Sequence, residues 1–197
     1  MKSHRGPCAS TSKVVTLYFG GAGDDRSGIV RYFQKARPRK SGCAHRYFLH
    51  YQAHEALEYV APLAAAGSAV ILVGHSWGAD TAARLAARMT TPVDLLIGVD
   101  PVAKLASRLT RATARQRDTR EVITVDGGHE INGWGDVVKT IGTVIGGGWP
   151  LVFDKPDVLI RARHRHDDFA HMLSAPGETH SSALAYLEQA EDRLSAV

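Results

Sequence analysis

A short motif near the middle of the chain has the residue types that nucleophilic chemistry requires. Residues 74–78 read Gly-His-Ser-Trp-Gly and match the pattern G-x-S-x-G. An apolar run ends at Val73 and an alanine-rich segment begins at Ala79, which predicts that Ser76 lies in a tight turn between a strand and a helix. The flanking glycines avoid clashes with neighbouring elements, and the hydroxyl is presented near a helix N-terminus. Ser76 is therefore the candidate nucleophile, and an ordinary loop with a helix-capping serine is the alternative.

Short apolar runs alternate with longer helical patterns along the whole chain, and this alternation must position the motif. It predicts an α/β fold with a mostly parallel sheet of about six strands, flanked by helices. Strands are predicted at residues 14–19, 45–50, 69–73, 93–99, 121–125 and 157–160. Helices are predicted at residues 28–36, 54–66, 79–89, 167–173 and 181–194.

The strand-turn-helix around Ser76, and the order of strands and loops around it, resemble the α/β-hydrolase superfamily with a minimal cap, in particular small lipases and esterases. The resemblance covers nearly the whole chain after residue 13. It implies that the strand at 14–19 precedes the loop that binds an oxyanion. It also implies that a carboxylate and then a histidine follow the serine along the chain, so that the three form a proton relay.

Two carboxylates at the ends of predicted strands suit the acid of that relay. Asp100 follows the apolar run 95–99, and residues 98–102 resemble the acid-bearing segment of lipases that place the acid one strand early. Asp126 follows the next predicted strand and occupies the commoner family position. We favour Asp100 and keep Asp126 open, and the carboxylate that is not used is expected to cap a loop or a turn.

Three histidines after the last predicted strand compete for the role of base: His164, His166 and His171. His166 is predicted to lie just before a helix capped by Asp167, and residues 166–170 resemble the histidine loop of small lipase-like hydrolases. His171 falls within that helix, and His164 is still close to the strand. We expect His166 to accept the serine proton and donate it to the leaving group, with the other two histidines as alternatives.

An oxyanion hole requires backbone N–H groups aimed at the charge that develops on the attacked carbonyl oxygen. One donor is expected from Trp77, the residue after the serine, and another from Gly21 or Ala22 in the glycine-rich loop 20–23. Glycines let that backbone approach a substrate closely, although the same glycines also suit a simple turn. A phosphate-binding P-loop is rejected because Ile29 stands where its lysine belongs.

Length and composition fit one domain, predicted over residues 14–197 after a flexible N-terminal tail at 1–13. The 197 residues carry a formal charge of +4, without the dense basic face of a nucleic-acid binder. The basic residues of 104–120 are expected to line a solvated helix, or to contact anionic phospholipid head groups. No cofactor or metal is expected, since the histidine-rich segment lacks an evident zinc spacing.

Localisation is predicted from two further sequence features. Residues 1–13 contain no apolar leader, and no apolar run is long enough to span a bilayer. We therefore expect a cytoplasmic protein, or one exported without a cleavable signal peptide.

The resemblance implies a serine hydrolase that cleaves the carboxylic ester bond of a small molecule or lipid through an acyl-enzyme. Two alternatives stay open: a phospholipid-degrading secreted toxin, and a non-catalytic binding protein with a related fold. Residues 127–156 contain Trp134, Trp149 and an apolar, glycine-rich run between them. The apolar residues of this segment are expected to line an acyl pocket, to touch lipid or to belong to the core: Ile141, Val144, Ile145, Trp149, Leu151 and Phe153. The site should be open unless this segment folds over it.

Overall fold

A six-stranded parallel sheet organises the part of the chain that the computed structural model describes, residues 12–104, 119–128, 139–140, 144, 156–177 and 181–196. The strand order is β2-β1-β3-β4-β5-β6, and every pair is parallel. The strands are β1 (Val14–Gly20), β2 (Cys43–Leu49), β3 (Ala69–His75), β4 (Leu95–Val99), β5 (Val122–Asp126) and β6 (Val158–Arg161). The predicted α/β class is confirmed.

Helices cover both faces of this sheet. They are α1 (Asp24–Ser27), α2 (Ile29–Ala36), α3 (Ala53–Ala65), α4 (Trp77–Ala86), α5 (Phe169–Ser174) and α6 (Ala183–Ser195). Successive strand residues point to opposite faces, so Leu17 and Phe19 pack with α3 and α4, whereas Tyr18 packs with α2, α5 and α6. Burial on both faces explains why the central strands are apolar throughout. Among the described residues, no helix is long and apolar enough to cross a bilayer.

The strand order brings the carboxyl ends of β1 and β3 side by side. The chain forms β2 on one side of β1 and then crosses to the other side to form β3. The crevice outside such a reversal point is where open parallel sheets bind ligands. Phe19 pairs with Gly74, and His75 pairs with Val99, so the loops after β1, β3 and β4 leave the sheet at one edge.

Several predicted boundaries are wrong by a few residues. Helix α4 begins at Trp77 and ends at Ala86 rather than spanning 79–89, because the serine turn passes directly into the helix. Strand β4 begins at Leu95 rather than at 93, since the Asp94 carboxylate accepts the Val70 N–H and interrupts the ladder. The short helix α1 was not predicted.

The helix after β6 also differs from its prediction. Its N-cap is Asp168, not Asp167, and the first helical residue is Phe169. The side chain of Asp167 pairs with Arg165 instead, at 2.9 Å. Of the predicted N-terminal tail, residues 1–11 lie outside the described residues, whereas Lys13 accepts the Ala69 N–H through its carbonyl.

Candidate active site

Ser76 lies in the turn between β3 and α4, at the carboxyl edge of the sheet. Its backbone is in the left-handed region, with φ 53° and ψ −125°, which is a strained conformation for a residue with a side chain. The turn is held in place because the Ser76 N–H donates to the Val99 carbonyl at 3.0 Å. This conformation and this anchor match the tight turn predicted from the motif.

The two motif glycines are required by close backbone approaches. A Cβ atom on Gly74 would lie 2.5 Å from the Ala79 Cα, and one on Gly78 would lie 2.2 Å from the Phe19 carbonyl oxygen. Both distances are too short for any side chain. Glycine at these positions therefore lets α4 pack directly against β3 and β1, as the sequence pattern predicted.

The side chains of Ser76, His166 and Asp100 form one hydrogen-bonded chain. His166 Nε2 lies 3.0 Å from Ser76 Oγ, and His166 Nδ1 lies 2.6 Å from Asp100 Oδ2. An ionised carboxylate only accepts hydrogen bonds, so Nδ1 carries the ring proton in a neutral imidazole. Nε2 is then left to accept the Ser76 proton. This is the tautomer that a histidine base requires.

Asp100 is fixed by its backbone and by both carboxylate oxygens. Its backbone is also left-handed, with φ 45°, and its N–H donates to the Val125 carbonyl at 2.7 Å. While Oδ2 faces His166, Oδ1 accepts the Gly127 N–H at 3.0 Å and the Lys139 ammonium at 2.6 Å. Burial opposes ionisation of this carboxyl, but the bonds and charges of His166 and Lys139 outweigh it and lower the pKa of Asp100 to about 2.

The buried side chain of His75 packs against His166 and bonds to its backbone. Its Nε2 lies 2.7 Å from the His166 carbonyl oxygen and must donate to it, because a carbonyl only accepts. The two rings are 4.8 Å apart, and the His75 ring also contacts Phe169 at 5.6 Å. Burial, together with the nearby His166, lowers the pKa of His75 to about 3, so the ring is neutral at physiological pH. His75 thus anchors the loop that carries the candidate base.

The loop after β1 lies against the serine turn. A Cβ atom on Gly21 would be 2.9 Å from the Ser76 Cβ and 3.1 Å from the His75 carbonyl oxygen, so this close packing requires glycine. Gly21 is buried, whereas Ala22 is exposed. The loop is held by Asp24, whose carboxylate accepts the Val30 N–H at 3.1 Å and the Tyr47 hydroxyl. The backbone of Gly21 therefore reaches the serine, as an oxyanion loop must.

Trp77 is the first residue of α4, so its N–H belongs to the first helical turn, where N–H groups have no partner within the helix. Its ring packs on His50 at 5.3 Å. The His50 carbonyl accepts the Lys104 ammonium at 2.7 Å and the Thr81 hydroxyl at 2.6 Å, which ties the end of β2 to α4. The start of α4 is therefore held beside the loop after β1.

The alternative site residues lie elsewhere. The Asp126 carboxylate accepts the Gly128 N–H at 3.1 Å and is 3.8 Å from the Lys139 ammonium. His171 is exposed on α5 and bonds to Asp168, and the ring of His164 stacks on that of His171 at 5.9 Å. Of the three histidines, the structure brings His166 to Ser76.

The side chains of the candidate nucleophile and base are both buried. Ser76 has 6% of its surface exposed, and His166 has 5%. Lys139, from the segment 127–156, contacts Asp100, so at least this residue of the segment lies at the site. Trp134 and Trp149 lie outside the described residues.

The basic segment 104–120 is described only at its two ends. Lys104 is half-buried against His50 and is not on a solvated face, whereas Arg120 pairs with Asp94 at 2.9 Å. The residues between, 105–118, lie outside the described part of the chain.

Sequence reasoning did not identify the roles of Lys139 and His75. Lys139 is the one charged residue from 137 to 149, a stretch of apolar residues, glycines and two threonines. Such a lone charge indicates a buried ion pair. His75 occupies a variable position of G-x-S-x-G, where no pattern distinguishes it.

Compared with known proteins, the chain matches no protein-family model and no curated protein.

Proposed function

We propose that this protein is a serine hydrolase of the α/β-hydrolase type, which cleaves carboxylic esters through an acyl-enzyme intermediate. One observation carries the proposal: Ser76, His166 and Asp100 form a continuous hydrogen-bonded chain at the carboxyl edge of the sheet, with the tautomer that a histidine base needs. No cofactor takes part in this chemistry.

In the first half of the reaction, Ser76 Oγ attacks the carbonyl carbon of the ester while His166 Nε2 accepts the hydroxyl proton. Asp100 stabilises the resulting imidazolium through Nδ1. The tetrahedral intermediate then collapses, the C–O bond to the alcohol breaks, and His166 donates its proton to the departing oxygen. In the second half, a water molecule repeats these steps on the acyl-enzyme and releases the carboxylic acid.

The oxyanion of both tetrahedral intermediates is assigned to backbone N–H groups of Trp77 and Gly21. Support comes from the position of Trp77 in the first turn of α4 and from the close packing of Gly21 on Ser76. Ala22, the other predicted donor, is exposed and one residue further from the serine turn. We therefore favour Gly21 over Ala22.

Backbone strain supports a functional site at Ser76 and Asp100. Both Ser76 and Asp100 adopt positive φ values, and such conformations cost of order 1–3 kcal/mol each. Strained residues of this kind concentrate where side chains must be presented in a set geometry.

Hydrolysis of p-nitrophenyl esters with acyl chains of graded length tests the proposal, combined with covalent labelling by a fluorophosphonate. Wild type is expected to release p-nitrophenol and to be labelled at Ser76, and Ser76→Ala is expected to lose both activities. Ser27→Ala, which changes an exposed serine at the same edge of the sheet, is the matched control. Absence of labelling in folded wild-type protein would instead favour the non-catalytic binding protein.

The same preparation identifies the class of ester. Fatty acid release from anionic liposomes, measured beside the hydrolysis of soluble short-chain esters, separates a phospholipase from an esterase. Faster release from liposomes would support the phospholipid-degrading alternative.

A further inference from the structure

Lys139 makes an unusual contact for a residue outside the hydrogen-bonded chain. Its ammonium donates to Asp100 Oδ1 at 2.6 Å and to the Gly128 carbonyl, and it lies 3.8 Å from Asp126 Oδ1. Its side chain is 10% exposed and that of Asp100 is 2% exposed, so this is an ion pair largely removed from water. Lys139 therefore bridges the Asp100 carboxylate, which follows β4, and the carboxylate of Asp126, the last residue of β5.

Holding the Asp100 carboxylate in position does not by itself require this lysine. Oδ1 already accepts the Gly127 N–H at 3.0 Å, and Oδ2 is bonded to His166. Burying an ammonium group is costly unless its charge is compensated. What Lys139 contributes is therefore its positive charge. This charge partly neutralises the buried Asp100 carboxylate at Oδ1, the oxygen that does not face the imidazole.

We propose that Lys139 is a positioning residue of the hydrolase: its ammonium, bonded to Asp100 Oδ1, acts through its charge and limits how strongly the carboxylate stabilises a protonated His166. The inference rests on the proposed function. A buried carboxylate without a counter-charge stabilises an adjacent imidazolium more strongly than one whose charge is partly neutralised. The Lys139 charge therefore opposes protonation of the candidate base.

The charged and titratable groups around His166 come from several elements. Asp100 follows β4 and faces Nδ1, and the neutral ring of His75, from β3, lies beside that of His166. Asp126, the last residue of β5, contacts Lys139 and not His166. On its own loop, Arg165 pairs with Asp167, and Asp168 bonds to His171. Among these groups, Lys139 is the cation in contact with the Asp100 carboxylate.

The test is the pH profile of kcat/KM for p-nitrophenyl ester hydrolysis by Lys139→Met. Removing one charge a few ångströms beyond the carboxylate is expected to move the acid limb to higher pH by about one unit. Lys139→Arg, which keeps the charge, should restore most of the wild-type acid limb.

Lys40→Met is the matched control, because Lys40 pairs with the exposed Asp192 carboxylate at 2.6 Å, away from the site. It should leave the acid limb unchanged. An acid limb in Lys139→Met that superimposes on that of wild type, with folding verified by circular dichroism, overturns the inference.

A second readout separates failure of this inference from failure of the proposed function. The pH midpoint of the His166 ring resonances, followed by NMR in wild type and Lys139→Met, requires no turnover. A higher midpoint in the variant supports the electrostatic role of Lys139 even if wild type hydrolyses no ester. Equal midpoints contradict it even if wild type is an active esterase.

Discussion

Replacing His75 with glutamine should change how the stability of the protein depends on pH. His75 is 5% exposed, and burial lowers the pKa of its ring to about 3, whereas an unfolded histidine titrates near 6.5. Between these pH values the unfolded chain binds a proton that the folded chain does not. The free energy of unfolding therefore falls as the pH falls, by about 1.4 kcal/mol per pH unit, or about 2 kcal/mol between pH 6 and pH 4.5.

His75→Gln removes the titrating ring but keeps a side-chain N–H that can donate to the His166 carbonyl. Urea unfolding followed by circular dichroism from pH 7 to pH 4.5 measures the slope. The measurements stop at pH 4.5 so that protonation of Asp100 does not contribute to the slope. The pKa of its carboxyl is lowered to about 2 in the folded protein, and the stability that it contributes is lost only below about pH 4.

Between pH 6 and pH 4.5, the free energy of unfolding of His75→Gln is expected to fall by about 2 kcal/mol less than that of wild type. The exposed ring of His54 provides a matched control, and His54→Gln should keep the wild-type slope. If the curves of wild type and His75→Gln run parallel between pH 6 and pH 4.5, the ring is not a buried neutral group and the reasoning is refuted.

Three further predictions concern the site and its turn. Asp100→Asn should lower kcat for p-nitrophenyl ester hydrolysis by about 10⁴-fold, because an amide favours the wrong imidazole tautomer. Asp126→Asn should retain most activity, and the reverse ranking of the two variants would make Asp126 the acid. His166→Ala should abolish fluorophosphonate labelling of the serine and His171→Ala should not, and equal labelling of the two variants would remove His166 from the mechanism. Gly78→Ala places a Cβ atom 2.2 Å from the Phe19 carbonyl oxygen and should lower the melting temperature by about 5 °C or more. An unchanged calorimetric transition would show that α4 can move away from β1 at little cost.

Local patterns in the sequence were sufficient for the six strands of the described sheet, for every described helix except α1, and for the turn that carries the serine. Apolar runs of strand length, separated by helical periodicity, predicted every strand of the described sheet, although Val93 was included in β4 and lies outside it. The motif glycines predicted the serine turn, because the close approaches at Gly74 and Gly78 leave no room for a side chain. Such features depend on residues close together in the chain.

The sequence favoured Asp100 over Asp126 only through the resemblance of residues 98–102 to a lipase segment. Both carboxylates come at the ends of buried strands, and parallel strands deliver both to the same edge of the sheet, so strand patterns alone do not separate them. The strand order places β4 beside β3, and the hydrogen bond from Ser76 to Val99 fixes the loop of Asp100 next to the serine turn. Asp126 lies one strand further away, where it contacts Lys139 instead.

The contacts of His75 and Lys139 likewise depend on packing between distant segments. His75 reaches the carbonyl of a residue 91 positions later, and Lys139 reaches a carboxylate 39 positions earlier. The sequence by itself determined the α/β class, the serine turn and a short set of candidate bases and acids. Only the tertiary structure decided which of them share hydrogen bonds, because bonds of about 3 Å depend on strand order and loop packing that no periodicity encodes.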